Sequence, residues 1–248
     1  TRTVRDAAVT LNAIAGHDAR DATSSRRPVP DYVPSTPASI RGVRVGMPEN
    51  YYLEGLDPEV EAAVRAMFRT AEQLGAQVIP VRVPDIDALN AVAVVILAAE
   101  ASAALEPYLA RRDEIGDEVR LRFDQGRFIA ATDYINAQRI RRLFVEEFAE
   151  LWKRVDCLFT PTTPTPAPKI GENTIAIAGV ETDARVATTR FMRAINALGS
   201  PALSMPCGFS RSGLPLSLQI LGAPFDEQRL LSIGAALEDA TDFHKRRP

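Results

Sequence analysis

With 248 residues, 46% of them hydrophobic and 25% charged, the chain can bury roughly three quarters of its unfolded surface and falls outside the disordered, collagen-like and coiled-coil classes. The formal charge of −3, from 29 basic and 32 acidic side chains, provides no global field to draw nucleic acid, an anionic membrane or an acidic substrate. Cys157 and Cys207 lack CxxC spacing, which excludes a disulfide framework and a zinc site and makes reduced thiols in a cytoplasmic protein the expectation.

The opening TRTVRDAAVTLNAIAG carries charges within six residues and no leading methionine, so it reads as no signal peptide and as the start of a fragment. Thr3 with Asp6 forms a helix-start box, Val4, Ala8, Leu11 and Ala15 recur at helical spacing, and Gly16 supplies the stop. From His17 to Ser39 the prolines Pro28, Pro30, Pro34 and Pro37 predict a surface loop. Val43, Val45 and Met47 alternate as a strand. Asp57 caps a helix with Pro58 at its first position and Gly75 past its end, and Gln77 to Val83 reads as a second strand. Strand, helix and strand in succession predict a crossover unit with parallel pairing.

The middle third reads as helical over 86–105, 111–126 and 132–155, with Ile135, Ile140, Phe144, Phe148 and Leu151 on one side of the last and Arg142 one turn from Glu146. The apolar run Ala91–Ala99 stops at Glu100, short of the roughly 20 residues of a membrane span, so none is expected. Pro161, Pro164, Pro166 and Pro168 make TPTTPTPAPKIGEN a stiff loop, neither helix nor central strand. A helix over 188–198, strands over 202–209 and 214–221 joined by SRSG, and a closing amphipathic helix over 226–241 complete the order. With no repeat and no composition break, the expectation is one α/β unit over residues 1–248.

Chemistry is sparse. Only His17 and His244 are histidines, no G-x-S-x-G occurs, and Lys153, Lys169 and Lys245 lie in charged or loop segments, so neither a Ser-His-carboxylate nor a Ser-Lys arrangement can be assembled by inspection. Arg139, Arg141, Arg142, Lys153 and Arg154 are interleaved with Glu146, Glu147 and Glu150, which argues against a nucleic-acid surface. No glycine-rich phosphate loop occurs, and no cofactor or metal is expected.

Several phrases together nevertheless carry a resemblance. RTVRDAAVTLNAIAGHDARDATSS, GRFIAATDYINAQRIRR, VDCLFTPTTPTPAPKIGEN, NALGSPALSMPCGF, GLPLSLQILGAPFDEQRLL and ATDFHKRRP resemble, in this order, the second half of the amidase signature family. PVPDY, NYYLEGLDPEV and PKIGEN are similar to its glutamyl-tRNA amidotransferase A branch. The resemblance implies a mixed sheet with helices on both faces, of which this chain is the C-terminal portion. It implies hydrolysis of a small-molecule carboxamide by a serine, a second serine in a cis peptide and a lysine, all in segments that precede RTVRDAA in family members. Ser24 and Ser25 lack the flanking glycines of that signature and are assigned no nucleophilic role, so the expected catalytic set in this chain is empty.

The resemblance further implies a pocket for the acyl part of the substrate, with Thr162, Tyr134, Thr189, Met192 and Asn196 as candidates and Arg122 near the position of a carboxylate-binding arginine. Thr189 stands where the amidotransferase branch has an aspartate for the substrate ammonium, and Met192 where the family has threonine, which favours a general amidase over glutamine transamidation. The expected partners are the missing N-terminal half and a second copy in a homodimer. The alternatives are a non-catalytic binding or subunit-interface module and part of an amidotransferase of the A type.

Overall fold

The computed structural model describes residues 1–34, 38–177 and 179–246, so Pro37 of the first loop and Arg247 and Pro248 of the basic tail lie outside the described residues. The chain falls into two compact units, one of Thr1–Arg82, Trp152–Phe191 and Ser200–Pro248, the other of Val83–Leu151 and Met192–Gly199.

The first unit is built on a five-stranded mixed sheet ordered β2-β1-β3-β7-β6. Strands β1 (Arg44–Pro48) and β2 (Gln77–Val81) are parallel in the register Val45↔Val78, joined by helix α2 (Pro58–Gln73), as the crossover pattern predicts. Asp57 caps α2 by accepting the Glu59 N–H, and Pro58 occupies the first turn, where its missing N–H costs nothing. Strand β3 (Cys157–Pro161) pairs parallel with β1 and antiparallel with β7 (Pro215–Leu221), which pairs antiparallel with β6 (Ala202–Phe209).

Thr160 and Pro161 therefore belong to the central strand, contrary to the expectation from proline content. Thr162 N–H donates to Ser217 O at 3.1 Å, so the antiparallel alternation turns the Pro161 nitrogen away from β7. On its other side the pairing with β1 ends at Gly46↔Leu158, and no ladder bond is lost.

Alternation divides the sheet into two faces. Val45, Cys157, Phe159, Met205, Cys207, Leu216, Leu218 and Ile220 form the core with Val64, Met67 and Phe68 of α2 and Leu230, Ile233 and Leu237 of α8 (Glu227–Asp239). The opposite face carries Leu158, Thr160, Gln219 and Leu221, all buried. Helix α1 (Val4–Ile14) starts with the expected box, Asp6 N–H to Thr3 Oγ1 at 3.0 Å, and packs Val4 and Ala8 with Leu231 and Tyr32. An unpredicted hairpin, β4 (Thr174–Ile177) and β5 (Val180–Asp183), follows the proline loop. It leads into α6 (Ala184–Thr189), capped by Asp183.

The second unit holds α3 (Ile86–Leu105), α4 (Asp117–Gly126), most of α5 (Ala131–Arg154) and α7 (Arg193–Leu198). The predicted helix over 111–126 is divided: a 3-10 segment, Glu106–Glu114, is followed by extended Ile115, and α4 starts after Gly116. The helix expected over 188–198 is likewise two, α6 and α7, broken at 190–192. On α5 the buried residues are Ala137, Phe144, Phe148 and Leu151, whereas Ile135 and Ile140 are 49% and 42% exposed, so the apolar stripe is narrower than expected. The Arg142 and Glu146 pair forms at 2.8 Å.

By length and composition alone Ile86–Glu114, with a mean hydropathy of 2.0 in its best window, is long enough to cross a membrane. Its α-helical part, Ile86–Leu105, has the bounds read from sequence, and the 3-10 segment Glu106–Glu114 supplies the remaining length. Protein partners engage its polar residues: Ser102 Oγ donates to Phe123 O at 2.7 Å, and Glu100 accepts the Tyr134 hydroxyl at 2.8 Å.

Candidate functional site

In the first unit the residues of interest gather at the C-terminal end of β3. Thr162, one residue beyond the strand, brings its hydroxyl to 3.0 Å from Ser204 Oγ of β6. Thr163 Oγ1 donates to Thr165 O at 2.8 Å, stiffening the proline loop, and Pro164 O accepts the Asp57 N–H at 2.9 Å. Thr160 is fully buried and accepts Gln219 Nε2 at 3.2 Å across the strand pair. The same amide nitrogen lies 3.5 Å from Phe191 O, two residues past Thr189. Thr189 closes α6 half-buried, its hydroxyl donating to Arg185 O at 2.7 Å.

Around Phe191 stands an aromatic group from the loop after β1. Tyr51 and Tyr52 lie 5.8 and 5.4 Å from the Phe191 ring, and Arg190 places its guanidinium over Phe191 at 4.5 Å. Tyr52 is fully buried, and burial pushes its phenol well above the ordinary range. Gln219, Tyr51, Tyr52 and Arg190 are not singled out by the sequence. The one signal it offers is the amide of Gln219 inside the apolar run Leu216–Leu221.

The second unit holds four other candidates. Tyr134 on α5 packs with Val92, Ile96 and Ala137 while its hydroxyl donates to Glu100 and accepts Gln138 Nε2 at 3.0 Å. Glu100 also lines a cavity of about 250 Å³ with Ile96, Arg193 and Asn196, so this carboxylate brings Tyr134 and Asn196 to one place. Asn196 is exposed on α7, and its carbonyl accepts the Gly199 N–H at 3.1 Å where the chain turns left-handed at φ 70°. Met192 is half-buried one turn earlier, its carbonyl accepting the Asn196 N–H at 3.0 Å. Arg122 lies half-buried on α4.

Ser24 does meet a histidine: His17 Nδ1 lies 2.9 Å from its Oγ. That oxygen also accepts the Asp18 N–H and faces the carbonyls of Asp18 and Asp21 within 2.9 Å, so it staples an exposed loop. Among the described residues no three His, Cys, Asp or Glu side chains are grouped to hold a metal ion.

Comparison with known proteins gives this arrangement its relatives. The Amidase family profile matches residues 1–231. The glutamyl-tRNA(Gln) amidotransferase A subunit of Myxococcus xanthus (strain DK1622) is 40% identical, covering 99% of this chain and 55% of its own length. An amidase of Pseudomonas putida is also 40% identical, covering 100% of this chain and 53% of its own length. Among solved structures, the glutamyl-tRNA(Gln) amidotransferase A subunit of Thermotoga maritima superposes with a TM-score of 0.78 at 33% identity, over 98% of this chain and 52% of that one. A bacterial aryl acylamidase of the amidase signature family superposes with a TM-score of 0.79 at 26% identity, over 100% of this chain and 55% of that one. The chain thus spans about half the length of the relatives it matches, and it belongs to the amidase family.

Proposed function

We propose that this chain is the C-terminal, acyl-pocket portion of an amidase that hydrolyses a carboxamide to carboxylate and ammonia. The serine nucleophile, the proton-passing serine and the lysine base belong, on this reading, to a portion of the protein that precedes Thr1. The observation that carries the reading is the hydroxyl pair of Thr162 and Ser204 at the C-terminal end of β3, backed by the buried Thr160 and Gln219, in a chain whose family match runs from residue 1 to 231. An α/β sheet places ligands beyond the carboxyl ends of its parallel strands, and β1 and β3 are the parallel pair that ends there.

Thr162 offers a hydroxyl beside the expected acyl group, and Thr189 presents no charge. A substrate ammonium buried against a neutral threonine loses hydration and gains no carboxylate. A neutral carboxamide therefore suits this wall better than glutamine. The 40% identity to a glutamyl-tRNA(Gln) amidotransferase supports a second reading, a piece of such an enzyme, and the neutral Thr189 stands against it.

The test is ammonia release from a panel of aliphatic and aryl amides, by this chain alone and by the full-length protein. The chain alone is expected to release none above buffer, since pocket walls cannot replace a nucleophile and base. The full-length protein is expected to turn over neutral amides. Hydrolysis by the isolated chain that vanishes on replacing one of its own serines would overturn the assignment.

A further inference from the structure

A helix that stops leaves carbonyls without their intrahelical donors. Between α6 and α7 the chain leaves the helix at 190–192, and side chains from two other elements take the carbonyls freed there. Tyr51 OH donates to Arg190 O at 3.2 Å. Gln219 Nε2 reaches Phe191 O at 3.5 Å and Thr160 Oγ1 at 3.2 Å, one amide group with two N–H donors serving both. The clasp is reciprocal, for Arg190 Nη2 returns to the loop of Tyr51, donating to Tyr51 O at 3.3 Å and Glu54 O at 3.0 Å.

Both donors occupy positions that carry a free-energy cost. Gln219 is 4% exposed in a strand whose neighbours Leu218, Ile220 and Leu221 are wholly buried, and an amide there costs free energy unless its bonds are made. Tyr51 holds φ at 65°, a region side chains larger than glycine seldom adopt, and is kept there by its N–H on Glu54 Oε1 at 3.0 Å. A strained tyrosine and a buried amide converging on one helix break mark a position that the fold specifies at a cost.

We propose that Tyr51 and Gln219 are positioning residues for substrate selection: by holding the Arg190 and Phe191 carbonyls they fix the place of Thr189 immediately before the break. This rests on the reading of Thr189 as a residue facing the acyl group. Neither side chain needs to touch substrate for this role.

The experiment compares the full-length protein with its Tyr51→Phe and Gln219→Met variants, the first losing one hydroxyl, the second keeping side-chain length without a donor. Three quantities are read: deuterium exchange of the backbone amides over 187–192, kcat and KM for two neutral primary amides with acyl groups of different size, and Tm. Exchange over 187–192 is expected to rise in either variant, with KM for the larger amide up about fivefold and kcat within about twofold, so that the ratio of specificity constants shifts. A merely structural role would lower Tm and change both amides alike, and that result overturns the proposal, as does unchanged exchange. Should Thr189→Asp alter the ratio while neither variant does, the positioning role fails and the pocket reading survives. If none of the three alters it, both fail. Tyr51→Phe decides the matter alone if Gln219→Met does not fold.

Discussion

Asp156 holds Arg44 at two points, its Oδ2 accepting the backbone N–H at 2.8 Å and its Oδ1 the guanidinium at 2.9 Å. Arg44 Nε also reaches Oδ2 at 3.3 Å, and Arg229 of α8 donates to Oδ1 at 2.8 Å. One carboxylate, only 17% exposed, thus ties the start of β1 to the approach of β3 and to the helix over the sheet. The side-chain bond from Arg44 is the largest cause of a pKa held below the ordinary carboxylate range, ahead of the opposing effect of burial.

A depressed folded pKa means that the ionised form stabilises the fold above the ordinary carboxylate range, and that this contribution disappears as pH falls through the folded value. Asp156→Asn is therefore expected to cost about 1–3 kcal/mol at neutral pH. The gap to the parent chain should stay constant down to the ordinary carboxylate range and narrow only as pH falls through and below it. Urea unfolding of the two proteins across that range checks it, and a gap independent of pH would contradict the assignment.

Gly126 lets α4 approach α3: a Cβ there would meet Ala98 O at 2.0 Å and Ser102 Cβ at 2.8 Å. Backbone cannot swing aside as a side chain can, so Gly126→Ala should destabilise by at least about 2 kcal/mol. Gly116→Ala is the control, since nothing lies within 4 Å and its φ is not positive. Thermal unfolding should separate the two clearly, the second lowering Tm only slightly, since alanine replaces glycine at the N-cap of α4.

Cys157 and Cys207 are free and buried. Burial pushes the Cys207 thiol up to about 12 and holds Cys157 higher still, so neither forms the reactive thiolate at neutral pH. A colorimetric disulfide reagent at pH 8 should titrate no thiol in the native chain and both after denaturation. Rapid native labelling of either would contradict the burial.

Thr189→Asp in the full-length protein is expected to improve glutamine relative to a neutral amide by roughly tenfold, the worth of one charge-assisted bond of about 1–3 kcal/mol. Competition kinetics measure it directly. An unchanged ratio would place Thr189 away from the bound acyl group.

Elements announced by side-chain chemistry are legible from sequence. Thr3 with Asp6 marks α1, Asp57 with Pro58 marks α2, and Ile86–Leu105 agrees with the reading at both ends. What escapes depends on backbone turns that several residues permit but none demands. Ile115 and Gly116 divide one helical pattern, residues 190–192 divide another, and the strands of the 174–183 hairpin are four residues each. No composition change marks where the chain passes between its two compact units at Val83 and Trp152.

Of the candidate site residues, Thr162 and Thr189 come from a family resemblance rather than from local physics. Gln219 escapes because strand alternation predicts which face a residue lies on and says nothing of what it will bond. Tyr51 escapes because a left-handed tyrosine has no local signature.

The placing of β3 beside β1 has a consequence during synthesis. Arg44 and Asp156 touch although 112 positions separate them, whereas β2 lies just across α2 from β1. At a synthesis rate of about 5–20 residues per second, β1 can acquire β2 early and then waits on the order of 4–16 s for β3. Throughout that interval one edge of β1 has no strand to pair with, and the nascent chain must be kept from finding another.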